Sequence, residues 1–578
     1  MPFNHLYFSY YTSLGFTMIG FSIRFVCCLA LLIASHNAYA QTDNAQTDNA
    51  QADAPNDHVR KIQSEAIEKG NSPVAHWGWE KMNYKRWSTH SNRLIPVYTY
   101  GTLDGGKGID LTSYTGSNSV YRSEQKLSRL YHAIPAKTVS STADYLDQTN
   151  IFEIQRAALE AGKKNIFLVV FDGMDWQTTR AAAIHNLQKV AYEDGRGTGT
   201  HFQDYTAGGT TQFGYMVTSP HSSGGKKDVN NQTAMSNGTP GGYDPTRGGA
   251  TPWATEIELE YLGAEPKKSE NRHAYTDSAS SAVSMTAGIK TYNGSINITH
   301  DGTKVATIAQ LAQQEGYAVG AVSSVPICHA TPACSYAHNV SRSDYQDISR
   351  DMLGLPSKSH PKEALDGLDV VIGAGYGSKK DKDEDQGKNF VPGNRYITDA
   401  DIKAVSVEEG GKYIVVQRTE GKDGKTSLLE ASREAAKKEN RLLGFFGTSK
   451  GHLPFETANG DYNPTNGRDK KSETYTDGDV GENPELANMA AAALHVLSNK
   501  KNAKGIWLMV ESGDVDWANH DNNIDNSIGA VNSGDRAVKV ITDWVERCSN
   551  WEESLLIVTA DHGHMLILEN PAGLVAPK

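Results

Sequence analysis

The sequence predicts an α/β fold: a three-layer sandwich with a mostly parallel central sheet, plus an N-terminal extension and surface insertions. Two observations predict it. Three apolar runs of strand length, Asn165 to Phe171, Ile506 to Val510 and Ser554 to Ala560, each lead directly into a carboxylate: Asp172, Glu511, and Asp561 followed by His562. Continuous apolar runs suit strands covered on both faces, and the C-terminal edge of a parallel sheet is where ligand-binding loops gather. The second observation is the alternation of helix-like and strand-like segments from about residue 151 onward, the rhythm of a parallel sheet crossed over by helices.

Taken in order, the chain opens with the marks of an export signal. Arg24 precedes the apolar run Phe25 to Ala34, and Ala38-Tyr39-Ala40 stands before the polar Gln41, so residues 1–40 read as a signal peptide cleaved after Ala40. The run falls short of the ~20 residues that span a bilayer. A periplasmic or secreted product with no membrane anchor after cleavage is expected, with either Met1 or Met18 as the start. Residues 41–57 repeat Gln-Thr-Asp-Asn-Ala and hold few apolar side chains, the composition of a disordered linker. Residues 58–150, with Trp77, Trp79, Tyr84 and Trp87, read as an extension that packs on the core.

Residues 151–578 form the main domain. After the strand ending at Phe171 the pattern predicts helices near 177–190 and 303–316 and strands near 317–325, 368–375 and 441–447. A helix follows near 484–498, and strands 505–510 and 554–560 flank a helix near 534–547. Two stretches interrupt this rhythm: 218–252 is rich in Gly, Ser, Asn and Pro, and 376–392 in Lys, Asp and Gly. Both read as surface insertions.

At 578 residues, 38% hydrophobic and 21% charged, the chain has ample material for a large core. A net charge of -12 and a pI near 5.9 exclude a general nucleic-acid grip, which depends on Lys and Arg neutralising phosphates. Cys27 and Cys28 would leave with the signal. Cys328, Cys334 and Cys548 remain; Cys328 and Cys334 could form a small disulfide or stay as buried thiols.

The chemistry-bearing residues fall in a few blocks. Ser278, in Tyr275-Thr276-Asp277-Ser278-Ala279, precedes a small-residue segment through Ala287. If that segment is helical, Ser278 sits near an N-terminus that favours anions, although Asp before Ser is also a common capping arrangement. The stretch Cys328 to Arg342 offers an imidazole at His329, a hydroxyl at Thr331 and a planar fork at Arg342 suited to two phosphoryl oxygens. Glu511-Ser512-Gly513-Asp514-Val515-Asp516-Trp517-Ala518-Asn519-His520 gathers metal ligands after a strand. Asp516 and His520, four residues apart, share a face if the segment is helical.

Together these blocks resemble the alkaline phosphatase family. The resemblance rests on Asp172-Gly173-Met174, on Thr276-Asp277-Ser278-Ala279 with Ser281-Ala282, and on the run Thr286 to Gly294. It continues through His329 to Arg342, Glu511 to His520 and Thr559-Ala560-Asp561-His562, all in the family's order. It implies metal-dependent hydrolysis of small phosphate monoesters through a phosphoserine intermediate, releasing orthophosphate, and leaves a homodimer open. Ser278 would be the nucleophile and Arg342 the phosphoryl clamp, with Asp277 beside them. One zinc would be held by Asp172, Asp561 and His562 with Ser278, and a second by Asp516 and His520. Asp172 would also reach a magnesium site completed by His329, Thr331 and Glu511, where the imidazole suits zinc better than magnesium. His564 would neighbour the ligands without being one. Related superfamily members act on phosphodiesters or sulfate esters, the alternative reading of the same site.

One departure stands out. The family's second zinc takes a third ligand, a histidine in a Thr-His-x-Gly-Glu-like segment well downstream of the Asp-His pair. After His562 the only histidine is His564. A domain lacking its C-terminal part is therefore expected, with one zinc short of a protein donor, a bare sheet edge, and as a further alternative an inactive remnant that still binds metal or phosphate.

Overall fold

The continuous apolar runs become the middle of a ten-stranded sheet. The computed structural model describes residues 57–87, 89–263 and 272–577; the expected export signal, and the linker apart from Asp57, lie outside the described residues. In chain order the strands are β1 (Ile95–Tyr100), β2 (Leu146–Asp147), β3 (Asn165–Phe171), β4 (Gln212–Val217) and β5 (Ala318–Pro326). They continue with β6 (Val370–Ala374), β7 (Tyr413–Gln417), β8 (Arg441–Phe445), β9 (Ile506–Ser512) and β10 (Ser554–Ala560). Their spatial order is β7-β8-β6-β5-β9-β3-β10-β1-β4-β2. The seven strands from β7 to β10 run parallel, and β1 lies antiparallel between β10 and β4.

Every residue of β3, β9 and β10 is buried, as strands sandwiched between helical layers must be. The helices Trp176–Leu187, Gly424–Lys438, Leu486–Ser498 and Ile524–Cys548 pack on one another in one layer. Asn150–Glu160, Ser278–Ala287, Ile308–Gln314 and Ala330–Cys334 form another. The expected three-layer, mostly parallel sandwich is therefore the fold.

The differences from expectation have local causes. The helix expected near 534–547 is the last half of Ile524–Cys548, capped by the Asn523 side chain. Its first turns read as loop because they carry Asp525, Asn526, Ser527 and Gly529, yet all four are buried. Gly529 is required there, since a Cβ would meet the Glu456 carbonyl oxygen at 2.1 Å. Strands β1, β4 and β7 and the helix Gly424–Lys438 were not anticipated; the mixed polar and aromatic text of β1 and β4 carries no long apolar run.

The largest correction concerns the sheet edge. The last parallel strand, β10, is not bare, because β1 pairs with it antiparallel, Thr559 opposite Val97 and Leu556 opposite Tyr100. The 58–150 segment thus enters the sheet, contributing β1 and β2, and a further strand, Ala75–Trp77, pairs with Leu566–Leu568 near the other end of the chain. Its aromatic rings join the core: Tyr98 packs against Phe202 and Phe213 at 5.0 and 5.1 Å between ring centres.

The two insertions meet each other. The hairpin Gly225–Asp228/Thr233–Ser236 ends on Asn230, whose side chain accepts from the Lys388 amide at 2.8 Å. Cys328 and Cys334 are buried free thiols, which selects the thiol alternative. No helix among the described residues is long and apolar enough to cross a membrane.

If β1 is part of the cooperative core, Tyr98→Ala should cost about 3–5 kcal/mol, the usual range for deleting a buried aromatic ring. Chemical denaturation monitored by Trp fluorescence would show it as a shifted midpoint; a change under about 0.5 kcal/mol would mean that β1 is peripheral.

Candidate active site

Parallel neighbours in register deliver their C-terminal ends together. Phe171 lies opposite Ser512 on one side and Ala560 on the other, so Asp172, Glu511 and Asp561 emerge side by side. The Asp172 amide donates to the Ser512 carbonyl at 3.1 Å. Asp561 Oδ1 accepts from the amides of Gly173 and His562 at 2.9 and 2.8 Å. Gly173 has φ +75°, and a Cβ there would meet the His564 ring at 2.7 Å, so only glycine lets the loops close.

Ser278 opens the helix Ser278–Ala287, which is buried throughout and built of small residues. Asp277 is its N-cap, accepting at Oδ1 from the Ser280 amide at 3.0 Å and the Gly294 amide at 3.1 Å. Its other oxygen receives Arg342 Nη1 at 2.9 Å. One carboxylate therefore sets both the serine's helix and the guanidinium. Burial alone would raise Asp277, but the Arg342 charge and the amides hold it below the usual carboxylate range. From the N-terminal segment, Gln148 Nε2 donates to Ser281 Oγ and to the Asp561 carbonyl at 2.6 and 2.8 Å.

The predicted ligands of the first site converge. Ser278 Oγ lies 3.3 Å from both Asp172 Oδ1 and His562 Nε2; His562 Nε2 lies 3.3 Å from Asp172 Oδ1 and 3.4 Å from Asp561 Oδ2. Tetrahedral donors about 2.0–2.1 Å from a zinc stand roughly 3.3–3.4 Å from one another, so the spacing fits that ion. The second oxygens of Asp172 and Asp561 and Oε1 of Glu511 are buried without a hydrogen-bond partner, a state that buried polar atoms rarely keep unless a cation or water completes them.

Asp516 and His520 do share a face, on the helix Asp514–His520, with His520 Nε2 3.5 Å from Asp516 Oδ1. That oxygen also lies 2.6 Å from His564 Nε2. The sequence reading supplied only two donors here, and the structure adds another imidazole that it missed. His90 Nε2 stands 3.1 Å from His520 Nε2 and 3.6 Å from Asp516 Oδ1. The pair Thr89-His90 matches the start of the Thr-His segment expected downstream, but Thr200-His201 and Thr299-His300 match it as well, so the pair does not single out His90.

For the third predicted set, Thr331 and Glu511 are buried. The Thr331 hydroxyl is near enough to act on the Glu511 carboxyl. His329 caps the helix Ala330–Cys334 by position and turns its ring toward Trp517, 6.0 Å away. A cleft of about 440 Å³ joins Ser278, Arg342, His329, His90, Asp516 and His520, with Trp517, Arg468, Asp469 and Asp521 on its walls.

Burial dominates the electrostatics. It pushes Glu511 up to about 8 and Asp561 up to about 6, and raises Asp172 well above the usual range with the help of Asp561's charge. Burial would raise Asp516 too, but His520 and His564 pull it down instead. Burial also depresses His90 and His329 to about 3 and His562 well below its usual value. Neutral imidazoles beside crowded carboxylates are what a divalent cation requires.

A profile of the alkaline phosphatase family matches residues 247–572. Alkaline phosphatase 3 of Bacillus subtilis (strain 168) is 29% identical over 287 residues, covering 50% of this chain and 49% of that protein. The alkaline phosphatase of Escherichia coli (strain K12) is 29% identical over 308 residues, covering 52% and 60%. The chain thus spans about half the length of the first of these relatives. The solved alkaline phosphatase of the Antarctic bacterium TAB5 superposes with a TM-score of 0.39 at 21% identity, covering 70% of this chain and 80% of that one.

Asp277→Ala removes the cap and leaves Arg342 largely buried beside no counter-charge. Stability should fall by about 3–5 kcal/mol, while Asp277→Asn, which keeps an acceptor at the cap, should lose less. Equal denaturation midpoints for the two variants would mean that the cap carries none of the loss and the broken ion pair carries all of it.

Proposed function

The chain belongs to the alkaline phosphatase family, and on that premise we propose that it hydrolyses small phosphate monoesters through a phosphoserine on Ser278. One observation carries this reading: Ser278 Oγ heads a ten-residue helix within 3.3 Å of Asp172 Oδ1 and His562 Nε2, in a cleft that Arg342 also lines.

Ser278 Oγ gives up its proton and bonds to phosphorus as the ester oxygen departs, and that oxygen takes up a proton in turn and leaves as the alcohol. The helix N-terminus behind Ser278 favours the negative charge gathering there. Arg342, held in place by Asp277, presents its planar fork to phosphoryl oxygens. Water then displaces the serine oxygen from phosphorus, giving orthophosphate and restoring Ser278. Phosphoryl transfer asks for positioning and charge stabilisation of this kind more than for covalent help.

Asp172, Asp561 and His562 with Ser278 would hold one zinc, and Asp516 and His520 would belong to a second. Asp172, Thr331, Glu511 and His329 would serve magnesium or zinc. Bound there, the metals would supply Lewis acidity to the oxygens on either side of phosphorus and lower the pKa of a water. The export signal read at residues 1–40 supports a periplasmic or secreted enzyme.

Turnover of a chromogenic phosphate monoester at alkaline pH should be lost on Ser278→Ala, by at least about 10³-fold, and full turnover in that variant would overturn the nucleophile. Arg342→Ala should weaken inhibition by inorganic phosphate by roughly 10- to 100-fold with folding retained. Faster turnover of a phosphodiester or sulfate ester than of a monoester would reassign the substrate. Asp172→Asn should lower the metal content per chain more than most single ligand changes; unchanged metal content would count against its shared role.

A further inference from the structure

His90 reaches the site because of strand direction. In the seven parallel strands the carboxylates stand at C-terminal ends, whereas β1 runs the other way, so the residues just before it arrive at the same edge. The segment is then stitched to the loop that follows Asp561 and His562. The Ser91 amide donates to the Gly563 carbonyl at 2.7 Å, Trp87 Nε1 to the His564 carbonyl at 3.2 Å, and Arg93 Nη1 to the Leu566 carbonyl at 2.9 Å. The His90 ring lies flat on the His562 ring, 3.6 Å between centres.

These contacts fix which nitrogen of His90 carries hydrogen. Nδ1 lies 2.9 Å from the Thr276 carbonyl oxygen, an atom that can only accept. Nδ1 is therefore the N–H, and Nε2 keeps its lone pair. A backbone carbonyl in this position is the usual outer partner of a metal-binding imidazole, and it sets ring orientation as well as tautomer. The lone pair faces two more donors. His90 Nε2, His520 Nε2 and Asp516 Oδ1 form a triangle with sides of 3.1, 3.5 and 3.6 Å. Donors arranged tetrahedrally about a zinc at 2.0–2.1 Å would be about 3.3 Å apart. His564, 2.6 Å from Asp516 Oδ1, gives that carboxylate an outer partner of its own.

We propose that His90, from the segment ahead of β1, is the third protein donor of the metal site shared by Asp516 and His520, so that the N-terminal part of the chain completes the centre. The inference rests on the two-metal phosphatase reading of the cleft. It supplies the donor that the sequence placed downstream and did not find there. The resulting set of two imidazoles and one carboxylate keeps a fourth position open, as catalytic zinc sites do. Metal binding then also pins the start of β1 to the sheet, and docking of the N-terminal segment and loading of this site become linked. The plainer alternative is a His90–His520 hydrogen bond in a site that binds no metal through His90.

The test uses the full chain. Zinc per chain after equilibrium dialysis should fall by one ion on His90→Ala, with apparent zinc affinity at that site down by at least about 100-fold and the far-UV spectrum unchanged. Because removing a stacked ring also removes packing, His90→Cys provides an atom-specific readout. Loaded with cobalt, it should show a sulfur-to-cobalt charge-transfer band that the unsubstituted protein lacks, and it should retain the ion that His90→Ala loses. A folded, cobalt-loaded His90→Cys protein without that band, or a His90→Ala protein with full zinc content and unchanged affinity, overturns the proposal. Monoester turnover in the unsubstituted chain is scored separately: turnover with zinc binding indifferent to His90 sinks this inference alone, whereas zinc binding that depends on His90 without turnover sinks only the phosphatase reading. An unsubstituted chain that binds no metal overturns both.

Discussion

Four carboxylates, Asp172, Glu511, Asp516 and Asp561, are buried along one edge of the sheet, and holding them there against their mutual repulsion is the condition on which the rest of the centre depends. Two like charges 4 Å apart repel by about 4 kcal/mol at an effective dielectric constant near 20. A flexible loop would relax away from that cost. The parallel strands do not allow it, because β3, β9 and β10 are paired residue for residue up to the carboxylates themselves. The strain of like charges is instead left for the surrounding imidazoles to offset, and it would favour a cation at that edge.

Rigidity at the edge extends to Ser278 through a few polar links rather than through bulk. Asp277 fixes the head of the serine helix and the direction of Arg342 at once. Gln148 joins the same helix to the Asp561 carbonyl. Behind them the buried ion pair of Asp147 and Lys290, 3.0 Å apart, ties β2 to the loop after that helix. A buried pair of this kind adds little net stability, since both ions are desolvated; its effect here is to hold two chain-distant segments in one register.

The segment before residue 150 therefore belongs to the architecture. It covers the edge of β10 that would otherwise invite association with other chains, and it brings His90 to Asp516 and His520 by running antiparallel to its neighbour. The two insertions have a more modest part. They rest on each other, as Lys388 on Asn230 shows, and the first of them places Lys227 close enough to Asp277 and Arg342 to share their field.

How much was legible along the chain depended on how local each signal is. Apolar runs ending in Asp172, Glu511 and Asp561 specify buried parallel strands and the edge where they stop, because side-chain burial leaves a periodic trace in the text. Asp277 before Ser278, and Asp516 four residues before His520, declare a capped helix and a shared helical face for the same reason. Strand β1 left no such trace: Ile-Pro-Val-Tyr-Thr-Tyr mixes polar and aromatic residues, and its place in the sheet is decided by pairing with β10 over four hundred residues away. His90 is one histidine in a polar loop, and nothing local separates it from the other histidines of the chain. By itself the sequence determined the fold class, the capped helix that carries Ser278 and most of the carboxylates and imidazoles that meet at the sheet edge. Only the tertiary structure decided which histidine stands with Asp516 and His520, because that depends on the direction and neighbour of a strand, which are properties of the sheet and not of any stretch of the chain.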